Sequence, residues 1–175
     1  MQRATKLNTS YIVPAVILLG VVAAVIIALA VGEKKPAKPS APKNTVVQSA
    51  CGPYRKDGVV VIDGQDINVE VVKDQNELQK GLAGRTCILP DQGMLFAFTK
   101  PGQYPIWMKG MKFPIDIVWI TADRKVAAIE VDESPSTYPD RFANKIPAQY
   151  VLELKANRSQ ELHMKIGSSV QFKNT

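Results

Sequence analysis

Six residues past the middle of the chain, Ile115-Asp116-Ile117-Val118-Trp119-Ile120, constrain the fold more than any others. Both of their alternating faces are apolar apart from Asp116, which predicts a strand buried on both sides. A lone carboxylate in such a strand needs partners, because burying it unpaired is costly. Just upstream, Trp107, Met108 and Lys109 set an aromatic plane, a soft thioether and a cation side by side. That composition suits the lining of a ligand pocket or the closing of a barrel end.

The segments around this stretch read as short strands punctuated by turns. Val59–Ile62 and Ile67–Val71 flank Asp63-Gly64-Gln65-Asp66, and the Asp-Gly pair supplies the positive φ angles of a tight hairpin. Ile67, Val69 and Val71 are expected inward, Asn68 and Glu70 outward. Asp74, three residues before Glu77, caps a short helix over about Gln75 to Leu82, with Leu78 and Leu82 on its buried face. Pro90-Asp91-Gln92-Gly93 turns into a strand at Met94–Phe98, and Lys100-Pro101-Gly102-Gln103 turns again. Further strands are expected at Lys125–Asp132 (Ala127, Ile129 and Val131 inward), Tyr150–Leu154 and Ser168–Lys173, with a short helix at Ala156–Met164. Glu133 to Pro147 is the longest irregular segment and carries an exposed Tyr138. The expected fold is mainly β, barrel- or sandwich-like, with two short helices, and preceded by a single transmembrane helix.

That helix is the 21-residue run Tyr11–Val31, which contains no charge. About 20 such residues cross a bilayer core. A cleavable signal peptide is the alternative, since Ala28-Leu29-Ala30 resembles a cleavage site, but the run exceeds the roughly 7–15 apolar residues usual there. Residues 1–10 form a tail. Residues 32–50, rich in Lys, Pro and Ala, cannot bury enough surface to fold and read as a tether reaching roughly 60 Å if polyproline-like. Residues 51–175 form the globular domain. Counting basic residues beside the span favours a cytoplasmic domain, whereas long domains translocate largely regardless of flanking charge. The signal-like placement of the span favours export, and the expectation is a single-pass membrane protein with an extracytoplasmic domain.

The net charge of +6 invites a nucleic-acid reading until it is mapped. Arg3, Lys6, Lys34, Lys35, Lys38 and Lys43 against Glu33 place +5 in residues 1–43 and leave +1 for the rest. The basicity suits anionic lipid headgroups, and no nucleic-acid partner is expected.

Five ordered blocks carry a family resemblance. Gly81-Leu82-Ala83-Gly84-Arg85-Thr86, Gly93-Met94-Leu95-Phe96, Trp107-Met108-Lys109, Pro114-Ile115-Asp116-Ile117 and Pro147-Ala148-Gln149-Tyr150-Val151-Leu152-Glu153-Leu154 together resemble domain-of-unknown-function family 192, over about Ile67 to Phe172. The resemblance implies a compact β-rich domain, often exported or tethered, with no established activity. Two departures bear on any site. The family continues Trp-Met-Lys with Asn-Thr, where this chain has Gly110-Met111, and a Gly-Asp pair near the C-terminus is here Gly167-Ser168.

The candidate ligand-binding residues are Arg85, Trp107, Met108, Lys109, Asp116, Tyr150 and Glu153. In one reading Arg85 or Lys109 grips an anionic ligand on which Trp107 and Tyr150 stack. In the other, Asp116 and Glu153 pair with those cations to close the domain internally. A cell-envelope hydrolase would use Asp116 and Glu153 as its acid/base pair. His163, the single histidine, lacks the surroundings of a nucleophilic triad and reads as structural. Met94, Met108, Met111 and Met164 with His163 could offer soft ligands to Cu(I), but methionine is more often core filler, so no metal or cofactor is expected. In an exported domain the two cysteines, Cys51 and Cys87, favour a disulfide; in the cytoplasm both would be free thiols. The functional expectation is a membrane-tethered domain that binds a small ligand or a partner protein. A hydrolase and a structural accessory module of a membrane complex stand as alternatives.

Overall fold

A computed structural model describes residues 45–175. They belong to one compact unit, Ala41–Thr175. The expected anchor at Tyr11–Val31 and most of the expected tether lie outside the described residues. Among the described residues, no helix is long and apolar enough to cross a membrane.

The first described element begins inside the segment read as tether. Strand β1 (Thr45–Ser49) pairs antiparallel with β2 (Gly52–Lys56). Next come β3 (Gly58–Ile62) and β4 (Gln65–Val72), the expected hairpin. Its turn residues Asp63 and Gly64 adopt φ of 48° and 79°, the pair of positive angles that the Asp-Gly sequence supplies. Helix α1 (Gln75–Lys80) follows, and the Asp74 carboxylate accepts from the amides of Asn76 and Glu77. β5 (Gln92–Gly102), β6 (Ile106–Trp107), β7 (Ile115–Ile120) and β8 (Val126–Glu133) come next. After them come β9 (Arg141–Phe142), β10 (Ala148–Lys155), the one-turn helix α2 (Arg158–Glu161) and β11 (Val170–Lys173).

Seven strands form one sheet in the order β11-β3-β4-β5-β10-β7-β8. All neighbours are antiparallel except β4 and β5, which run parallel. A parallel pair needs a crossover connection, and α1 provides it. The sheet curls into a half-barrel whose two edge strands meet at one end. There Lys125 bridges Ser169, the Val126 amide donates to the Ser168 carbonyl, and the Val170 amide donates to the Arg124 carbonyl. The architecture is mainly β with two short helices, as the strand pattern implied.

The curled sheet buries both of its faces. Its concave face holds Val60, Ile67, Leu95, Val118, Leu152 and Leu154, plugged at one end by Leu162 and Met164 after α2. Its convex face carries Met94, Phe96, Ile117, Trp119 and Val151 beneath Leu82, Ile88, Ile106 and Met108. This is why β7 is apolar on alternate residues of both faces: all six of its residues are buried. It also corrects one reading of the hairpin. Glu70 does point away from the concave core, but the covering layer buries it.

Several boundaries differ from expectation for local reasons. β5 runs through Pro101 to Gly102, because a bulge lets Gly102 pair with Ala148 while Ala97 pairs with Tyr150. In β8, register shifts break the alternation, so Val126 and Ile129 reach the concave core while Ala127 joins the convex one. The second helix shrinks to one turn because Asn157 and His163, on either side, adopt left-handed φ of 67° and 53°. Inside the irregular Glu133–Pro147 segment, β9 pairs with β6 and so places Arg141 against Trp107.

Candidate functional site

Glu153 sits on β10 opposite Ile117 of β7, so it faces the convex core. It is 5% exposed, and its Oε2 has no hydrogen-bond partner among the described residues. Burial pushes its pKa from the ordinary 4.5 up to about 8, against the opposing pull of the Leu82 backbone amide and the Arg85 charge. At neutral pH this carboxyl is therefore mostly protonated and offers an O–H donor.

Glu153 borders a recess of about 60 Å³, lined also by Lys80 and Leu82 beside α1, by Phe96, and by Trp107, Lys109 and Met111. Gly81 closes α1 with φ of 50°, and a Cβ there would stand 3.1 Å from the Phe96 ring and 3.6 Å from Glu153 Oε2. A glycine at this position thus leaves the carboxyl its space. Over the opening, the Trp107 ring is attended by Lys109 Nζ at 5.2 Å and Arg141 Cζ at 4.8 Å, with Tyr138 edge-on at 6.3 Å. Tyr138 is 46% exposed.

Of the seven sequence candidates, Trp107, Lys109 and Glu153 come together here, and the other four do not join them. Met108 is buried in the convex core and is packing. Arg85 pairs with Glu70 through both terminal guanidinium nitrogens, at 3.1 and 2.6 Å, and not with Asp116. Asp116 is opposite Leu154, on the concave side, and meets neither Arg85 nor Lys109. Its Oδ1 accepts from the amides of Asp132 and Asn157 at 2.9 and 2.8 Å, and its Oδ2 from the amide and hydroxyl of Ser159 at 2.7 and 2.6 Å. Four donors satisfy this acid without a cation, so its role is to anchor the α2 turn. Tyr150 faces the concave side too and packs edge-on against Phe172 at 4.7 Å. Asp116 and Glu153 thus lie on opposite faces of the sheet and cannot flank one scissile bond.

Arg141 joins the site without having been singled out, beside Tyr138, expected only as an exposed tyrosine, and Met111, noted as a departure from the family pattern. Only β9 pairing brings Arg141 to Trp107, and nothing in the residues of an irregular segment announces that. Next to the recess, a cavity of about 300 Å³ is lined by the charged side chains of Arg55, Glu70, Glu77 and Arg85, with Arg55 Nη1 2.7 Å from Glu77 Oε1. The Cys51–Cys87 disulfide forms, with a Cα–Cα distance of 5.1 Å, and ties the β1–β2 hairpin to the loop after Arg85. Among the described residues, no group of three or more His, Cys, Asp or Glu is placed to hold a metal. Of the four methionines considered, Met94 and Met108 lie in the convex core with Met111 packed against it, and Met164 lies in the concave core. His163 is exposed after α2.

Residues 58–172 match the family model DUF192, described as "Uncharacterized ACR". The chain belongs to the DUF192 family. No curated protein matches it. Two solved structures share the DUF192 fold seen here. One, described as a candidate transcription regulator from Sinorhizobium meliloti, is 27% identical with a TM-score of 0.61, covering 66% of this chain and 91% of its own. The other, a protein of unknown function from Novosphingobium aromaticivorans, is 24% identical with a TM-score of 0.64, covering 78% of this chain and 99% of its own. Against the DUF192 pattern, the Gly110-Met111 departure falls at the recess. Gly110 takes φ of 72° and its carbonyl accepts from the Gly84 amide at 3.0 Å, while Met111 lines one wall.

Proposed function

We propose that this DUF192 chain is an exported domain, held at the membrane by Tyr11–Val31, that binds a small ligand at the Glu153 recess and catalyses nothing. The carrying observation is Glu153 itself, a carboxyl in an apolar layer with one oxygen left without a partner and facing an opening. A position that served packing alone would favour an aliphatic side chain, because an unmet polar group costs stability. The recess of about 60 Å³ admits one small polar group, so the body of the ligand lies on Trp107 beside Lys109 and Arg141. Met111, where the family pattern has Thr, makes one wall apolar and tunes this member towards a less polar group. The disulfide supports the exported placement, since such bonds persist in oxidising compartments.

A partner protein is the second reading, favoured by exposed Tyr138 beside Trp107. The hydrolase alternative built on Asp116 and Glu153 loses its support, because the two carboxyls lie on opposite faces of the sheet.

Thermal-shift screening against metabolites, glycans and short peptides tests the reading, with Trp107→Ala and Glu153→Gln alongside. A ligand that stabilises the wild type and loses its effect in both variants supports it. Hits that stabilise all three proteins equally, or no hits at all, count against it.

A further inference from the structure

The two ends of the half-barrel are not alike. One is plugged by Leu162 and Met164 and fastened by Asp116. The other opens as a cavity of about 340 Å³, some six times the Glu153 recess. A volume above about 300 Å³ is in the range that holds a whole small molecule, and barrel mouths are common places for such sites. Its walls include the concave-face residues Val71, Leu95 and Ala97 at the side and Tyr150 edge-on to Phe172. These apolar walls contact one another less fully than the core below them: Val71, Tyr150 and Phe172 are only partly buried.

The charged side chains that line the rim are basic, with the terminal carboxylate of Thr175 beside them. Lys73 and Arg124 line the mouth, no acidic side chain does, and Thr175 lies at its edge. Arg124 is held with its guanidinium 5.1 Å above the Phe172 ring, on a turn where it takes φ of 61°. Among the described residues, neither cation has an ion-pair partner. Apolar walls below two unpaired cations complement one kind of molecule, with a short hydrocarbon body and an anionic head.

We propose that the open end of the half-barrel is a second binding site, which takes a small amphiphilic anion such as a short-chain carboxylate. The hydrocarbon lies between Tyr150, Phe172 and Leu95, and the head group meets Lys73 and Arg124. This gives Tyr150 a ligand-contacting role on the face opposite Trp107, independent of the Glu153 recess.

The test uses the full chain in lipid nanodiscs and follows the methyl resonances of Val71 and Leu95 during titration with hexanoate, 1-hexanol and hexylamine. Hexanoate is expected to shift these methyls saturably and to bind at least tenfold tighter than hexylamine, with hexanol between them. A Lys73→Gln/Arg124→Gln double variant should weaken hexanoate at least fivefold and leave hexanol unchanged. Ala97→Trp, which fills the mouth without altering its charge, should block all three. The proposal is overturned if hexanoate gives no saturable shift at Val71 and Leu95, or binds no better than hexylamine. Shifts confined to Leu82 and Met111 would equally sink it, because they would assign the anion to the Glu153 recess instead.

Discussion

At the scale of single residues, the two buried carboxyls show how surroundings set a role that residue type does not. Asp116 is ringed by four donors, so removing it orphans three backbone amides and one hydroxyl in the interior. Each unmet buried donor costs about 1–3 kcal/mol, and Asp116→Ala should destabilise the domain by at least about 3 kcal/mol in urea unfolding. Asp116→Asn, keeping one acceptor oxygen, should cost less. Glu153 behaves oppositely. Its pKa of about 8 lies above the ordinary 4.5, so folding favours its protonated form. Below pH 4.5 both states hold the proton and Glu153 contributes no pH dependence. Between 4.5 and about 8 the unfolded chain has lost the proton that the folded one retains, so stability falls as pH rises, by roughly 1.4 kcal/mol per pH unit from this group. Above 8 the loss levels off. Glu153→Gln should remove that slope, so denaturant midpoints across pH 5–8 should be flatter in the variant. Equal slopes in the two proteins would show that Glu153 is ionised when folded.

At the scale of elements, β2 acts as a clasp over the one parallel junction of the sheet. The Tyr54 hydroxyl donates to the Asn68 carbonyl on β4 at 2.6 Å and accepts from the Gly93 amide on β5 at 3.2 Å. The tyrosine comes from a different hairpin and meets β4 and β5 where they run parallel. Tyr54→Phe leaves the shape intact and removes the hydroxyl from this buried junction, so it should cost about 1–3 kcal/mol and speed amide exchange at Gly93 before the rest of β5. The strands themselves were largely legible in the sequence: the Asp-Gly hairpin, the doubly buried β7 and the Asp74 cap each rest on neighbours in the chain. What was not legible depended on pairs distant in sequence. Alternation placed Glu70 outward, and so it is, but only the α1 loop and β2 decide that outward is still buried. Trp107, Lys109 and Glu153 were read as candidates and do converge, whereas Tyr150 and Asp116 went to the other face. The strand parity that separates them emerges only once β10 and β7 are in register.

At the scale of the molecule, compartment, covalent bonding and stability are linked through Cys51 and Cys87. The bond closes a separation of 36 residues, and on the chain-entropy account this stabilises the folded state by about 3–4 kcal/mol. Such a contribution exists only where thiols are oxidised. If the domain is exported behind Tyr11–Val31, the chain taken from membranes under alkylating, non-reducing conditions should carry no label on either cysteine. After reduction it should gain a label on both. A version lacking the apolar run and made in a reducing cytosol should take both labels at once and unfold about 3–4 kcal/mol more readily than the oxidised domain, and Cys51→Ser/Cys87→Ser should be weakened as much while taking no label. The hairpin of β1 and β2 should loosen first, because the bond joins its turn to the loop after Arg85, leaving Tyr54 as a principal tie to the sheet. Free thiols on the membrane-derived chain would place the domain on the reducing side, and the tether would then present the Glu153 recess to cytoplasmic ligands.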